Sequence, residues 1–150
     1  MKRSLAYDDV LLVPQYSDIR SRSEIEINTD LGNGLALDIP LFSSPMDTIS
    51  EKEMALSLSA LGACSVIHRY NTIEQQTVMV SGALEEGGST SRVGAAVGIS
   101  GDFLNRASVM RAIGVSFICV DVAHGHHILM KDALQTLRAA LGDEIHIMAG

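Results

Sequence analysis

Tryptophan is absent from the 150 residues of the chain, and cysteine occurs only twice. Cys64 and Cys119 are far apart in apolar stretches and lack the C-x-x-C spacing typical of zinc and dithiol sites. Two such isolated cysteines favour packed, reduced thiols over a disulfide framework. They are typical of a reducing compartment, which argues against the class of small, disulfide-stabilised secreted proteins.

Basic residues are also scarce, since 11 lysines and arginines stand against 18 acidic residues and the formal net charge is −7. They are scattered along the chain, whereas nucleic-acid-binding proteins concentrate them in a patch. The longest uncharged, mostly apolar run, residues 54–67, is shorter than the roughly 20 residues that span a bilayer. The N-terminus lacks the apolar segment of a secretory signal. We therefore expect a cytoplasmic protein without nucleic-acid or membrane partners.

The sequence pattern of residues 1–38 predicts an N-terminal arm or ribbon that precedes the main fold. Residues 7–14 form a short apolar run that ends at a proline. Residues 17–27 alternate isoleucine with polar residues, which is typical of a half-exposed strand. The sequence Gly32-Asn33-Gly34 predicts a turn. Together these segments predict a small antiparallel ribbon.

Residues 39–150 repeat a pattern of apolar strand, polar turn, amphipathic helix and glycine. The predicted strands begin near residues 39, 63, 93, 116 and 145. This alternation predicts an α/β fold with a parallel sheet, and the continuous apolar character of the strands indicates that both faces are covered. Two architectures satisfy the pattern. One is an open doubly wound sheet, as in a flavodoxin-like binding module, and the other is the first half of a closed eight-stranded barrel.

Capping signals predict where the helices begin and end. The second helix is expected to fade near Ser81, before a polar connection at residues 85–91, and Asp102 is expected to cap the third helix. Capping-box spacing marks two helix starts, Ser50 with Glu53 and Thr72 with Gln75. Glycines that close helices are expected at Gly62, Gly114 and Gly142.

In both architectures the functional residues gather at the C-terminal ends of the strands. Alternation along residues 117–122 places Asp121 on the face opposite to Ile118 and Val120. In a barrel the wholly apolar face packs against the helices, so Asp121 is expected to point inward at the mouth. The residues predicted at the strand ends are Ser43, Ser44, Met46, Asp47, His68, Arg69, Gly98, Asp121, His124 and His126.

The Asp121 carboxylate can accept hydrogen bonds from ribose hydroxyls, act as a base or cap the following turn. The histidines at 124, 126 and 127 suggest a metal site by residue type, but H-x-H-H is not a zinc framework, and no metal is predicted. The Rossmann and P-loop glycine fingerprints and the G-x-S-x-G nucleophile elbow are missing. The glycines of RVGAAVG, at 92–98, favour close packing inside a strand.

Five segments nevertheless occur in an order and spacing that resembles the IMP dehydrogenase/GMP reductase family. They are YDDVLLVPQYS at 7–17, IPLFSSPMDTISE at 39–51, IHRYNTIEQQ at 67–76, RVGAAVG at 92–98 and VDVAHGHH at 120–127. The resemblance implies a parallel (β/α)8 TIM barrel, of which these residues supply about the first half to five strands. It also implies a homotetrameric enzyme with a purine nucleotide, IMP or GMP, as substrate and NAD or NADP as cofactor.

Carried over to matching positions, the resemblance implies substrate-binding roles for Ser44, Met46 and Arg69 and cofactor-binding roles for Asp121, Ala123 and His124. Met46 would lie beneath the purine base. Arg69 would lie near the reacting centre, where relatives often have lysine or histidine. Asp121 would contact the nicotinamide ribose.

The two activities of the family share this pattern. DDVLLVP, SSPMDT, IEQQ and RVGAAVG are more similar to IMP dehydrogenases, whereas SRSE, IHRY, ICVDVA and IMAG are more similar to GMP reductases. Between residues 76 and 92 there is no room for the CBS domains of most dehydrogenases. Because SSPMD would touch the substrate, the resemblance favours IMP dehydrogenase, which converts IMP to XMP in guanine nucleotide synthesis. The alternative is GMP reductase, which converts GMP to IMP with NADPH.

In this family a cysteine after the sixth strand forms a covalent adduct with the purine, and neither Cys64 nor Cys119 stands in that motif. No catalytic residue is therefore expected in this chain. The cysteine and a potassium site are expected beyond Gly150, since a complete barrel typically has roughly 250 residues. We expect the chain to be the N-terminal part of a longer enzyme or a truncated product, inactive alone. A catalytically inactive nucleotide-binding fragment is the remaining alternative.

Overall fold

The computed structural model describes residues 3–88 and 91–150, which form two separate sheets. A two-stranded hairpin consists of β1 (Thr29–Asp30) and β2 (Ala36–Leu37). A five-stranded parallel sheet consists of β3 (Phe42–Ser43), β4 (Cys64–Ile67), β5 (Val93–Val97), β6 (Phe117–Val120) and β7 (His146–Ala149). The helices between its strands are α1 (Lys52–Ala60), α2 (Ile73–Gly87), α3 (Phe103–Ala112) and α4 (Ile128–Leu141).

The order of the strands decides between the two predicted architectures. Each strand of the parallel sheet pairs with its neighbours in chain order, from β3 to β7. A doubly wound sheet contains a point at which the strand order reverses, whereas pairing in chain order is the pattern of a (β/α)8 barrel. The five strands therefore form a half-barrel, and the predicted fold of TIM-barrel type is confirmed.

The turn predicted at residues 32–34 is confirmed, whereas the strand predicted before it is not. β1 and β2 pair antiparallel, and the intervening residues 32–34 all have positive φ, as the glycine-rich turn predicts. The strand predicted over residues 17–27 is wrong, because this segment contains only a 3₁₀ turn, Arg22–Glu24, and its side chains are exposed. Without a neighbouring strand the alternating isoleucines have no surface to cover. A local bond from the Ser23 N–H to the Ser21 hydroxyl favours the turn instead.

Two of the three predicted N-cap positions, Thr72 and Asp102, are confirmed, but only Thr72 makes a side-chain capping bond. Thr72 and Gln75 form the predicted reciprocal capping box of α2. Ser50 does not cap α1, because its fully buried hydroxyl donates to the Ser44 carbonyl and the Ser43 hydroxyl. Asp102 stands at the N-cap position of α3 but makes no capping bond, since its carboxylate accepts hydrogen bonds from Arg106.

Helix α2 is longer than predicted, since it continues past Ser81 to Gly87. Val80 and Ala83 are fully buried on either side of the predicted end, so packing against the sheet outweighs the weak helix propensity of Ser81 and Gly82. Part of the predicted polar connection, residues 89–90, lies outside the described residues. The expected helix-closing glycines at 62, 114 and 142 all have positive φ. Within residues 3–88 and 91–150, no helix is long and apolar enough to span a bilayer.

The two faces of the sheet pack against different partners. Ile118 and Val120 belong to the core between the sheet and the helices. Phe117 and Cys119 belong to a second core on the inner face of the half-barrel, which also contains Leu37 of the hairpin. The predicted division of β6 into a helix-facing side and an inward side is therefore confirmed.

The hairpin lies at the N-terminal ends of the parallel strands. The Asn33 amide donates to the Asp143 carbonyl at 3.2 Å, and His146, the first residue of β7, is 2.7 Å from the Gly32 carbonyl oxygen. An Asp38–Arg92 ion pair at 3.6 Å adds a contact just before β5. Because the hairpin occupies this edge, the opposite edge, at the C-terminal ends, is the one where polar side chains meet open space.

Gly94 in β5 gives room for the Phe117 ring, which is fully buried on the inner face. A Cβ on Gly94 would lie 2.2 Å from Phe117 Cζ. We expect Gly94→Ala to lower the free energy of unfolding by about 1–3 kcal/mol through overpacking, measured by urea denaturation. Gly82→Ala is the control, because there the nearest atom is the movable Lys52 side chain at 3.2 Å. It should be neutral or stabilise α2 by up to about 1 kcal/mol. Equal effects of the two changes would contradict close packing at Gly94.

Candidate functional site

The turn after β3 presents Ser44 and Met46 at the mouth of the half-barrel. Phe42 packs on the inner face, so the alternation of the strand directs Ser44 to the same side. The Met46 N–H donates to the Ser44 carbonyl at 2.8 Å, and the Met46 carbonyl accepts from the Ser50 N–H at 2.9 Å. These bonds fix the turn, while the Met46 side chain remains 48% exposed. The Met46 side chain is thus exposed at the mouth, on a turn whose backbone is fixed by hydrogen bonds.

Ser43, in contrast, faces the helices. Its hydroxyl is 2.7 Å from the Ser65 hydroxyl and accepts the Val66 N–H at 3.3 Å. These contacts join β3 to β4. Of the two adjacent serines at this strand end, only Ser44 is therefore available to a ligand inside the barrel.

His68 at the end of β4 also turns away from the barrel interior. Its Nδ1 accepts the Tyr70 N–H at 3.2 Å, so the ring proton lies on Nε2, which donates to Glu51 Oε1 at 3.2 Å. The ring is only 3% exposed and stacks on Tyr70. It lines a cleft of about 670 Å³ between the segment before α1 and the first turns of α2, which Asp47 also lines. The predicted strand-end residues His68 and Asp47 therefore belong to an outer surface.

Arg69 crosses the mouth and joins three strand ends. Its Nε and Nη2 donate to the Asp121 backbone carbonyl at 3.3 and 3.1 Å. A Cβ on Gly98, just after β5, would lie 3.5 Å from Arg69 Nη1. The guanidinium also lies over the Tyr70 ring, 5.4 Å from its centroid. The arginine therefore spans from the end of β4 past Gly98 to the end of β6, and a Cβ at Gly98 would make only an ordinary van der Waals contact with it.

The Asp121 carboxylate makes no hydrogen bond and no ion pair within the residues that the structure describes, although its backbone N–H donates to Val97 at 3.0 Å. The prediction that the Asp121 carboxylate caps the following turn is therefore wrong. The N-cap of α4 is His127, whose Nδ1 accepts the Leu129 N–H at 3.1 Å. The half-buried carboxylate therefore keeps its acceptor capacity for a ligand.

The loop after Asp121 is exposed and carries Ala123, His124 and His126. The His124 and His127 rings lie edge to face, with centroids 6.0 Å apart. A Cβ on Gly125 would lie 3.1 Å from the Gly150 carbonyl oxygen, so the loop approaches the end of β7. In the described ranges, no three His, Cys, Asp or Glu side chains gather in a way that could hold a metal ion.

The predicted site residues thus form two groups at one edge. Arg69 and Asp121 are in direct contact through the Asp121 carbonyl. Ser44 and Met46 form the second group, in the turn after β3. Among residues 3–88 and 91–150, no side-chain hydrogen bond connects the two groups.

This arrangement agrees with a comparison against known protein families. The chain matches the model of the IMP dehydrogenase / GMP reductase domain over residues 4–150. The chain belongs to this family. Its strand order and its polar C-terminal edge are those that a barrel enzyme requires.

Curated relatives carry both names of the family. An inosine-5'-monophosphate dehydrogenase of Cryptosporidium parvum is 28% identical over 95% of the chain and 45% of its own length. One from Nitrosopumilus maritimus is 45% identical over 50% of the chain and 16% of its own length. A GMP reductase of Leishmania donovani is 40% identical over 53% of the chain and 16% of its own length. The chain therefore spans less than half of each of these relatives.

Two residues behind the edge are absent from the set that the sequence predicts. Gln76 and Arg106 are buried and hydrogen-bonded to each other at 3.0 Å. Gln76 also donates to the Ile67, His68 and Ala96 carbonyls, so it holds the ends of β4 and β5 together. The i,i+4 spacing of Asp102 and Arg106 is the signal that could have identified the arginine, because such a pair on a helix commonly forms an ion pair.

The two cysteines are buried, as the sequence predicts. Burial raises the pKa of Cys64 to about 12, and its thiol donates to the Arg92 carbonyl at 3.0 Å. Burial, with the nearby Asp121 carboxylate, raises the pKa of Cys119 to about 11. Thiolates are the reactive form of cysteine. Neither thiol therefore supplies an exposed, reactive thiolate.

These raised pKa values predict a loss of stability at high pH. The protonated thiols stabilise the fold fully below the ordinary thiol pKa of about 8.5, where folded and unfolded chains bind the same protons. That contribution is lost as the pH rises toward about 11 for Cys119 and about 12 for Cys64. We expect the free energy of unfolding, measured in urea, to fall between about pH 8 and about pH 10.

The control for this prediction is Cys64→Ala, which should be less stable at neutral pH and should show a weaker fall at high pH. The side chain that titrates is then missing, so its share of the pH dependence disappears. An unchanged pH dependence in this variant would mean that other groups cause the loss.

Proposed function

We propose that the chain forms the substrate and dinucleotide faces of an NAD(P)-dependent purine nucleotide oxidoreductase, and we favour IMP dehydrogenase. The observation that carries the proposal is the contact of Arg69 with the Asp121 carbonyl, which leaves the Asp121 carboxylate at the mouth without a partner among the described residues. Membership of the IMP dehydrogenase / GMP reductase family supports the reaction class.

The cofactor side fits residues 121–124. A ribose offers two hydroxyl donors, and the Asp121 carboxylate is a half-buried acceptor without a partner in the described part of the chain. Ala123 and His124 follow in the exposed loop, where the small Ala123 side chain leaves room for a bound dinucleotide. NAD or NADP would supply hydride transfer. The protein side would bind the ribose and orient the nicotinamide.

The substrate side fits the turn after β3. The exposed Met46 side chain offers a polarizable apolar surface for a purine ring, and the inward-facing Ser44 hydroxyl offers a hydrogen-bonding group. Arg69 lies between this turn and the cofactor side, with a cationic guanidinium for the anionic or carbonyl groups of the nucleotide. The nucleotide and the dinucleotide would therefore meet across Arg69.

The remaining parts of the reaction are proposed to come from outside residues 1–150. The buried thiols of Cys64 and Cys119 are unsuited to attack on the purine. The nucleophilic cysteine and the potassium site of such an enzyme would therefore be supplied by other segments. We propose that the complete enzyme is a cytoplasmic homotetramer.

Two activities compete within this proposal. Most of the similar curated proteins are named IMP dehydrogenase, and this frequency supports the dehydrogenase activity. The GMP reductases of two Leishmania species, each 40% identical over 80 residues, keep the reductase as the second candidate.

The deciding assay uses the full-length protein that carries this chain. With IMP and NAD, we expect NADH absorbance to increase, whereas a reductase would consume NADPH in the presence of GMP. The 150-residue chain alone should bind IMP or GMP, measured by calorimetry, without turnover. Turnover by that chain alone would contradict the proposed need for an external nucleophile. Failure of the full-length protein to bind any purine nucleotide would overturn the proposal.

Asp121→Ala in the full-length protein tests the cofactor side. Loss of a hydrogen bond to a charged acceptor costs about 2 kcal/mol, so dinucleotide affinity should fall by roughly thirtyfold while nucleotide affinity is retained. Both affinities are measured by calorimetry. The control is Asp132→Ala, which removes an exposed carboxylate from α4 and should change neither affinity. Equal dinucleotide affinities of the two variants would remove Asp121 from the site.

A further inference from the structure

We infer that Arg106 is a positioning residue, which acts through the turn between β4 and α2 to hold Arg69 at the end of β6. The residues of this turn are 68–72, and Arg106 lies behind it on α3. The inference rests on the proposed function for its kinetic consequence. Its structural consequence can be measured independently of any activity.

Arg106 is buried, with 6% of its surface exposed, and all five of its N–H donors have acceptors. Nε and Nη2 donate to Asp102 Oδ2 at 3.2 and 2.9 Å. Nη1 donates to Gln76 Oε1 at 3.0 Å and to Asn71 Oδ1 at 3.2 Å. Nη2 also donates to the Asn71 carbonyl at 2.9 Å. Lysine has three donors on one atom and cannot reproduce this planar set.

The acceptors of Arg106 in turn hold the strand ends. Because Gln76 Oε1 accepts from Arg106, its amide nitrogen is directed toward the sheet, where it donates to the Ile67, His68 and Ala96 carbonyls at 3.0–3.2 Å. Asn71 Nδ2 donates to the His68 carbonyl at 3.3 Å. One guanidinium therefore fixes both side chains that determine the course of the turn.

Arg69 lies inside this turn, and its guanidinium reaches the Asp121 carbonyl at 3.1 Å. Loss of Arg106 would leave the buried Gln76 Oε1 and the half-buried Asn71 oxygens without this donor, and we expect the turn to move in response. Displacement of a binding group by about 1 Å can reduce catalysis by about a hundredfold. The effect would reach Asp121 although Arg106 does not touch it.

Arg111 on the same helix provides a matched control. Its Nη1 donates to the Leu141 carbonyl and joins α3 to α4, far from the turn at 68–72. Arg106→Met and Arg111→Met each remove one arginine that donates from α3 to a neighbouring element. A purely structural role of Arg106 would make the two variants alike.

The first test is hydrogen exchange of the full-length protein, followed by mass spectrometry. We expect Arg106→Met to accelerate exchange at residues 68–72 and at 121–125, and Arg111→Met to leave both segments unchanged. Unchanged exchange at 121–125 in Arg106→Met, or equal acceleration in both variants, would overturn the inference. If exchange responds as expected but the wild-type protein binds no purine nucleotide, the proposed function fails and the positioning role stands.

The second test is a double-mutant cycle on kcat/KM, at a temperature where circular dichroism shows every variant folded. We expect Arg106→Met alone to lower kcat/KM by between about tenfold and about a hundredfold. In an Arg69→Met background the same change should add little, because the residue through which it acts is already missing. Effects that multiply would mean that Arg106 does not act through Arg69.

Discussion

Pairing of the parallel strands in chain order is the constraint on which the rest of the structure depends. Because β3 to β7 are neighbours in that order, their C-terminal ends meet at one edge of the half-barrel. The hairpin contacts the opposite edge through Asn33 and Gly32. Polar side chains at the strand ends can therefore converge only at the mouth. Alternation then divides them, since Ser44 and Asp121 follow the inward residues Phe42 and Cys119.

Features set by near neighbours in the chain could be predicted from the sequence. The division of β6 into two faces follows from a period of two, and the Thr72–Gln75 capping box follows from a spacing of three. The same reasoning fails where a closer partner competes. Ser50 has the correct spacing for a cap, but its hydroxyl is buried beside Ser44 and bonds there. Spacing identifies a possible partner, whereas burial decides which partner is used.

The site itself depends on contacts that no local pattern encodes. Arg69 and Asp121 are 52 residues apart, and Arg106 and Gln76 are 30 apart. The resemblance to the family could assign Arg69 and Asp121 to the site by position, but it gave no sign of the network behind them. Buried polar groups must find partners, so Gln76 and Arg106 constrain each other as soon as the sheet brings them together.

The hydrogen bonds of Arg69 to the Asp121 backbone explain how the mouth can be ordered and still present an acceptor for a ligand. A direct ion pair between Arg69 and the Asp121 carboxylate would use up the acceptors that we propose for a ribose. Instead the guanidinium donates to the Asp121 backbone carbonyl, which fixes the strand end and leaves the carboxylate oxygens unpaired within the described residues. In this arrangement the arginine extends past Gly98, where a Cβ would lie in ordinary contact with Nη1 at 3.5 Å. The acceptor at the mouth is thus preserved by a backbone contact, and its position depends on the turn that carries Arg69.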